Sequence, residues 1–106
     1  MKLAITNCPP DQAERIALAL VEERLVACVN AYPARSVYRW KGAVEKEDEV
    51  TLVIKAPADG VTRLRERLLE LHPYELPEFV VLDVDLGASL PAYVAWVRDE
   101  GAGRSP

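Results

Sequence analysis

Reactive and stapling residues are scarce in this chain, which has one histidine and two cysteines among 106 residues, with one methionine, one phenylalanine and five glycines. Cysteines at positions 8 and 28 give neither a disulfide framework nor a recognisable zinc spacing, so reduced thiols in a reducing compartment are expected. Positive charge is short as well: 13 Lys and Arg stand against 17 Asp and Glu, a net charge of −4. A nucleic-acid groove needs a concentrated basic excess. Here bases alternate with acids, as in Arg63-Leu64-Arg65-Glu66-Arg67. The longest uncharged apolar stretches, such as residues 27–34, fall far short of a membrane span. No charged start leads into an apolar run and a small-residue cleavage site. Gly-rich phosphate loops and Ser nucleophiles with a base are absent too, so no enzyme chemistry is read. The chain reads as soluble and cytoplasmic, with no nucleic-acid or membrane partner.

What is present is globular, with 50% hydrophobic and 28% charged residues. A chain of this size hides about two-thirds of its surface on folding, enough for a core without staples. Residues 1–100 are read as one domain and residues 101–106 as a frayed tail. The apolar start up to Asn7 is a buried strand stopped by Pro9-Pro10. Ala13, Ile16, Ala17, Leu20 and Val21 recur at helical spacing, which predicts a helix over residues 10–25. A strand from Ala27 is expected to bend or bulge at Pro33 and to resume over residues 36–40. Lys41-Gly42 is a hairpin tip, and residues 43–56 return. Val61, Leu64, Leu68 and Leu71 mark a second helix closed by His72-Pro73. A fourth strand over residues 78–84 and a short helix over residues 91–99 complete the order.

The order βαββαβα specifies an α+β, ferredoxin-like βαββαβ sandwich with an extended β2–β3 hairpin and an extra C-terminal helix. Strand order 4-1-3-2 with both long helices on one face follows. Each hairpin arm approaches 14 residues, so roughly 25 Å of two-stranded ribbon overhangs the sheet. An isolated pair of strands is marginal in water and its edges invite pairing. The overhang is therefore read as an assembly device. The same topology places Cys8, the hairpin and the His72–Glu75 loop at one end, with Cys28 at the other.

Chemistry-bearing residues concentrate in His72-Pro73-Tyr74-Glu75-Leu76-Pro77-Glu78, where an imidazole, a phenol and two carboxylates sit between stiffening prolines. His72 and Glu75 are candidate metal ligands, against the plainer reading of a helix-ending His bonded to a carbonyl. Cys28 is the second candidate, since thiolate selects soft ions, against the plainer reading of a small buried hydrophobe. Cys8 lies just before a helix N-terminus, where thiolate is favoured, and is read as the more reactive thiol. Tyr38, Trp40, Tyr93 and Trp96 form an aromatic set with Lys55 nearby. Lys55 and Glu49 are read as pairing with an anionic ligand or with each other.

Thr6-Asn7-Cys8-Pro9, Ala27-Cys28-Val29-Asn30, Tyr38-Arg39-Trp40-Lys41-Gly42, His72-Pro73-Tyr74-Glu75 and Tyr93-Val94-Ala95-Trp96-Val97 together resemble the CutA family of divalent-cation tolerance proteins over nearly the full chain. The resemblance implies a subunit similar to the nitrogen-regulatory PII proteins, assembled as a homotrimer without catalysis. It also implies a link to copper and other divalent cations, with metal contacts at the positions of Cys28 and His72; Glu75 is added from its neighbourhood. Some bacterial members carry Cys where this chain has Asn7. No cofactor is required, although copper or another divalent cation is expected to bind weakly at subunit interfaces. The runner-up is a PII-like signalling trimer that takes a small anionic metabolite or nucleotide in the inter-subunit cleft through Trp40, Lys55 and Tyr74. A third reading is a scaffold for an unidentified protein partner.

Overall fold

The computed structural model describes residues 1–101. Its elements are β1 (Lys2–Cys8), α1 (Ala13–Glu22), β2 (Cys28–Trp40), β3 (Ala43–Ala56), α2 (Val61–Leu71), β4 (Val80–Asp83) and α3 (Pro91–Glu100). Short 3-10 turns at Pro10–Gln12 and Ala58–Gly60 lead into α1 and α2. All four strands join one antiparallel sheet in the order β2-β3-β1-β4, the order expected for an α+β ferredoxin-like sandwich.

Strand periodicity decides which side chains enter the core. Ala4, Thr6 and Cys8 of β1 alternate with Leu3, Ile5 and Asn7, and the register pairs them with Ile54, Leu52 and Val50 of β3. These residues meet Ile16 and Leu20 of α1 and Leu64 and Leu68 of α2 in one buried cluster. Each large aliphatic side chain taken out of water there contributes roughly 1.5–3 kcal/mol. The opposite sheet face carries Leu3, Ile5, Asn7, Thr51, Val53 and Lys55, together with Val80 and Leu82 of β4.

Several boundaries depart from expectation. The first helix ends at Glu22 rather than near residue 25, because Arg24 takes a left-handed conformation (φ 59°). That turn lets the Leu25 amide bond the Leu20 carbonyl at 3.1 Å and sends Leu25 and Val26 into the core. Pro33 does not bend β2, which runs unbroken with Pro33 opposite Val50. β2 is an edge strand, where a missing N–H costs no ladder bond. β4 is shorter than expected because it pairs only with Lys2–Ile5 of β1. Of the tail expected to fray, Gly101 is buried, and a Cβ there would lie 2.7 Å from Pro57 Cδ. Residues 102–106 lie outside the described residues.

The overhang is present. β1 pairs with β3 only from Val50 onward, so residues 43–49 pair with residues 34–40 alone. That two-stranded ribbon is about 23 Å long. Lys41 (φ 48°) and Gly42 (φ 83°) form its tip, both in the left-handed region that a tight hairpin turn requires.

One core residue is mismatched to its surroundings. The Thr6 hydroxyl is buried on the helix-facing side of β1 and has no hydrogen-bond partner among the described residues. Thr6→Val keeps the shape and removes the unsatisfied group, so it should raise stability by about 1 kcal/mol in denaturant unfolding. A loss of stability would mean that the hydroxyl is solvated in solution.

Candidate functional site

A cleft of about 860 Å³ opens between the ribbon and the loop joining α2 to β4. Ribbon register places Tyr38 and Trp40 of β2 on the same face as Glu45, Glu47 and Glu49 of β3. The loop supplies Tyr74, Glu75 and Glu78 from the other side.

His72 anchors that loop. It caps α2, its amide bonding the Leu68 carbonyl at 2.8 Å. Pro73 behind it prevents the helix from continuing. His72 is only 7% exposed, with Nε2 2.8 Å from the Asn7 carbonyl oxygen and Nδ1 accepting the Tyr74 amide at 3.2 Å. These two bonds require the proton on Nε2 and the lone pair on Nδ1. Tyr74 is thereby aimed at β3, where its hydroxyl donates to Glu49 Oε2 at 2.7 Å. Asn7 joins the same network, accepting from the Thr51 hydroxyl at 2.5 Å and donating to Glu78 Oε1 at 3.0 Å. The end of β1, the middle of β3 and the loop are thus tied by side chains as well as by the sheet.

The cleft is electronegative. Glu49 is only 6% exposed despite its charge. Burial pushes the Tyr74 hydroxyl up, and its bond to Glu49 and the charges of Glu49 and Glu47 push it further. Tyr38 is raised too, by desolvation, then by a hydrogen bond to Glu47 and the nearby glutamates. Behind the ribbon, Cys8 is fully buried, with its thiol 3.7 Å from the Val50 carbonyl. Burial foremost, then the Glu49 charge, drive its pKa up to about 11. The expectation of a reactive Cys8 is therefore corrected: desolvation outweighs any helix N-terminus.

The candidate residues divide between the two ends of the sheet. His72, Tyr74, Glu75 and Trp40 lie at the cleft end. Cys28 pairs directly with Lys55 at the other end, where Lys55 bonds Asn30 Oδ1 and the Cys28 thiol lies 3.9 Å from the same oxygen. Burial foremost, then the neighbouring Cys28, raises the pKa of the Tyr93 hydroxyl on α3, and the Tyr93 ring lies tilted against that of Trp96 with centroids 5.5 Å apart. Lys55 is four residues along β3 from Thr51, the partner of Asn7, so Cys28 and His72 are about 13 Å apart along the sheet. Lys55 accordingly pairs with neither Glu49 nor the cleft of its own subunit.

Within one subunit these donors do not fit a metal ion. Both His72 nitrogens are engaged, and Glu75 pairs with Lys41 at 3.6 Å instead of turning to His72. Among the described residues no three His, Cys, Asp or Glu side chains are grouped to hold an ion. The glutamate row was the feature missed from sequence. Its signal was there: acids at 45, 47 and 49 in a strand share one face by periodicity alone.

Comparison with known proteins bears on this geometry. A family model described as CutA1 divalent ion tolerance protein matches residues 2–100. The divalent-cation tolerance protein CutA of Thermus thermophilus is 40% identical over 92% of this chain and 95% of its own length. Protein CutA of mouse is 43% identical over 90% of this chain, which spans only 54% of that relative. Among solved structures, the PII-like protein CutA from Nostoc sp. PCC 7120 in apo form superposes with a TM-score of 0.94 and 57% identity. That match covers 95% of this chain and 97% of the other.

Two measurements check the site. Tyr74→Phe withdraws a donor from a buried carboxylate and should cost about 1–2 kcal/mol in urea unfolding, with an unchanged midpoint showing that water replaces the phenol. The raised Cys8 pKa makes folding favour the neutral thiol. Its contribution is complete below pH 9 and lost as pH rises through about 11, a fall on the order of 2–3 kcal/mol. Cys8→Ala should remove that part of the alkaline destabilisation; an unaltered pH profile would count against it.

Proposed function

Because the chain belongs to the CutA1 divalent ion tolerance family, we propose that it acts in divalent-cation tolerance as a cytoplasmic homotrimer that holds copper or a similar ion weakly between subunits and catalyses no reaction. The observation that carries the assembly is apolar surface at both sheet edges. Val80 and Leu82 on β4 are 48% and 45% exposed, and Val37 and Val44 on the ribbon are 62% and 57% exposed. Unpaired edges and exposed apolar side chains of this kind call for a second copy. A trimer repeats each such contact three times around a closed axis. Cys28 of one copy then has a route to the His72 end of another, which the fold of a single subunit denies it.

Sedimentation at micromolar concentration should give one species at three times the 11.8 kDa chain mass. A folded single subunit would remove the assembly and its sites. Copper titration should show binding at least tenfold weaker in Cys28→Ala; equal affinity would exclude Cys28.

A second reading is favoured by the cleft itself, whose volume suits a small molecule. In that reading the protein is a PII-like sensor whose guest alters a surface read by a partner protein. An anionic guest would need Lys55 of a neighbouring copy, because five carboxylates line the cleft: Glu45, Glu47, Glu49, Glu75 and Glu78. A thermal-shift screen distinguishes the two readings: stabilisation by a metabolite without a metal response supports the sensor.

A further inference from the structure

The two faces of the ribbon carry opposite charge. On one, Glu45 and Glu47 of β3 stand opposite Tyr38 and Ser36 of β2, with Glu49 further in. On the other, Arg39 stands opposite Val44, Val37 opposite Lys46 and Arg35 opposite Asp48. Local pairing simplifies both faces. Glu49 is held by the Tyr74 hydroxyl, and Arg35 pairs with Asp48 at 3.0 Å. Two carboxylates with the rings of Tyr38 and Trp40 remain on one face, and two cations with two exposed valines on the other. Among the described residues, none of Glu45, Glu47, Arg39 and Lys46 has an ion-pair partner.

We propose that the acidic face of one copy's ribbon receives the basic face of the next copy's ribbon, which enters the cleft beside the loop joining α2 to β4. The proposal rests on the homotrimer reading above and names the surfaces that join. It also fills the space that the second reading leaves to a small molecule.

Three arguments select this occupant. The charges match in number and in spacing. Glu45 and Glu47 are alternate residues of one strand, about 7 Å apart. Arg39 and Lys46 are diagonal neighbours across the ribbon, about 7–8 Å apart. Apolar parts match as well, since Val37 and Val44 would lie on the rings of Tyr38 and Trp40 and leave water together with them. Finally, charge excludes the simplest alternative. A twofold dimer sets a face against its own copy, glutamates on glutamates or bases on bases, which like charge opposes. Acidic-to-basic stacking is head-to-tail, and such a contact stays finite only when its rotation closes a ring.

Sedimentation of the intact protein over a concentration series tests the assignment. Reversing one face, by Glu45→Lys with Glu47→Lys or by Arg39→Glu with Lys46→Glu, should raise the concentration needed for assembly by about tenfold or more. All four substitutions in one chain restore opposite faces, and should return assembly to near the wild-type concentration. Rising salt should weaken assembly of the wild type. If circular dichroism shows any of these variants unfolded, Glu47→Gln and Lys46→Gln decide instead: each should weaken assembly about threefold, and indifference to both overturns the proposal. Assembly that ignores both reversals, or that the folded fourfold variant fails to recover, also overturns it and leaves the trimer to other surfaces. A wild-type chain that sediments as a folded single subunit discards the proposal together with the homotrimer.

Discussion

Unbroken pairing of β2 with β3, from Cys28 opposite Lys55 to Trp40 opposite Ala43, is the constraint on which the rest of the molecule depends. Its inner half belongs to the sheet and helps cover the core. Its outer half has no third strand to lean on, and so presents both faces and both edges to whatever lies nearby. A ladder that continued only as far as β1 would leave no overhang. The glutamates and aromatic rings would then have no rigid frame, and the sheet would be an ordinary closed sandwich.

Rigidity at the base of that ribbon comes from a polar network rather than from packing. His72 spends both ring nitrogens on backbone groups of β1 and its own loop, which fixes where Tyr74 points. Tyr74 in turn makes a buried carboxylate tolerable at Glu49 by donating a charge-assisted hydrogen bond. The histidine that looked most like a metal ligand is thus a structural latch within the single subunit. The same latch carves the cleft, because it holds the loop beside the ribbon instead of against the core.

Much of this architecture is legible from residue pattern. Period-two alternation in β1 and β3 and the leucines of α2 specify which faces are buried, and the hairpin length predicts the overhang directly. Local chemistry misled in two places. Pro33 suggested a bend, but an edge strand tolerates proline and β2 runs unbroken through it. Cys8 suggested a thiolate beside a helix start, but the strand turns it into the core, where desolvation dominates.

By itself the amino-acid sequence determined the element order, the helix-covered face and the concentration of unusual side chains in residues 72–78, because these follow from periodicity and from proline and glycine geometry. It could not decide which of those side chains meet. Only tertiary structure set Lys55 directly opposite Cys28, turned Glu75 toward Lys41 and brought Tyr38 and Tyr74 to the glutamate face of β3. The physical reason is that strand register and loop anchoring are long-range: a shift of one residue in either would send each of these groups to the other side of the sheet.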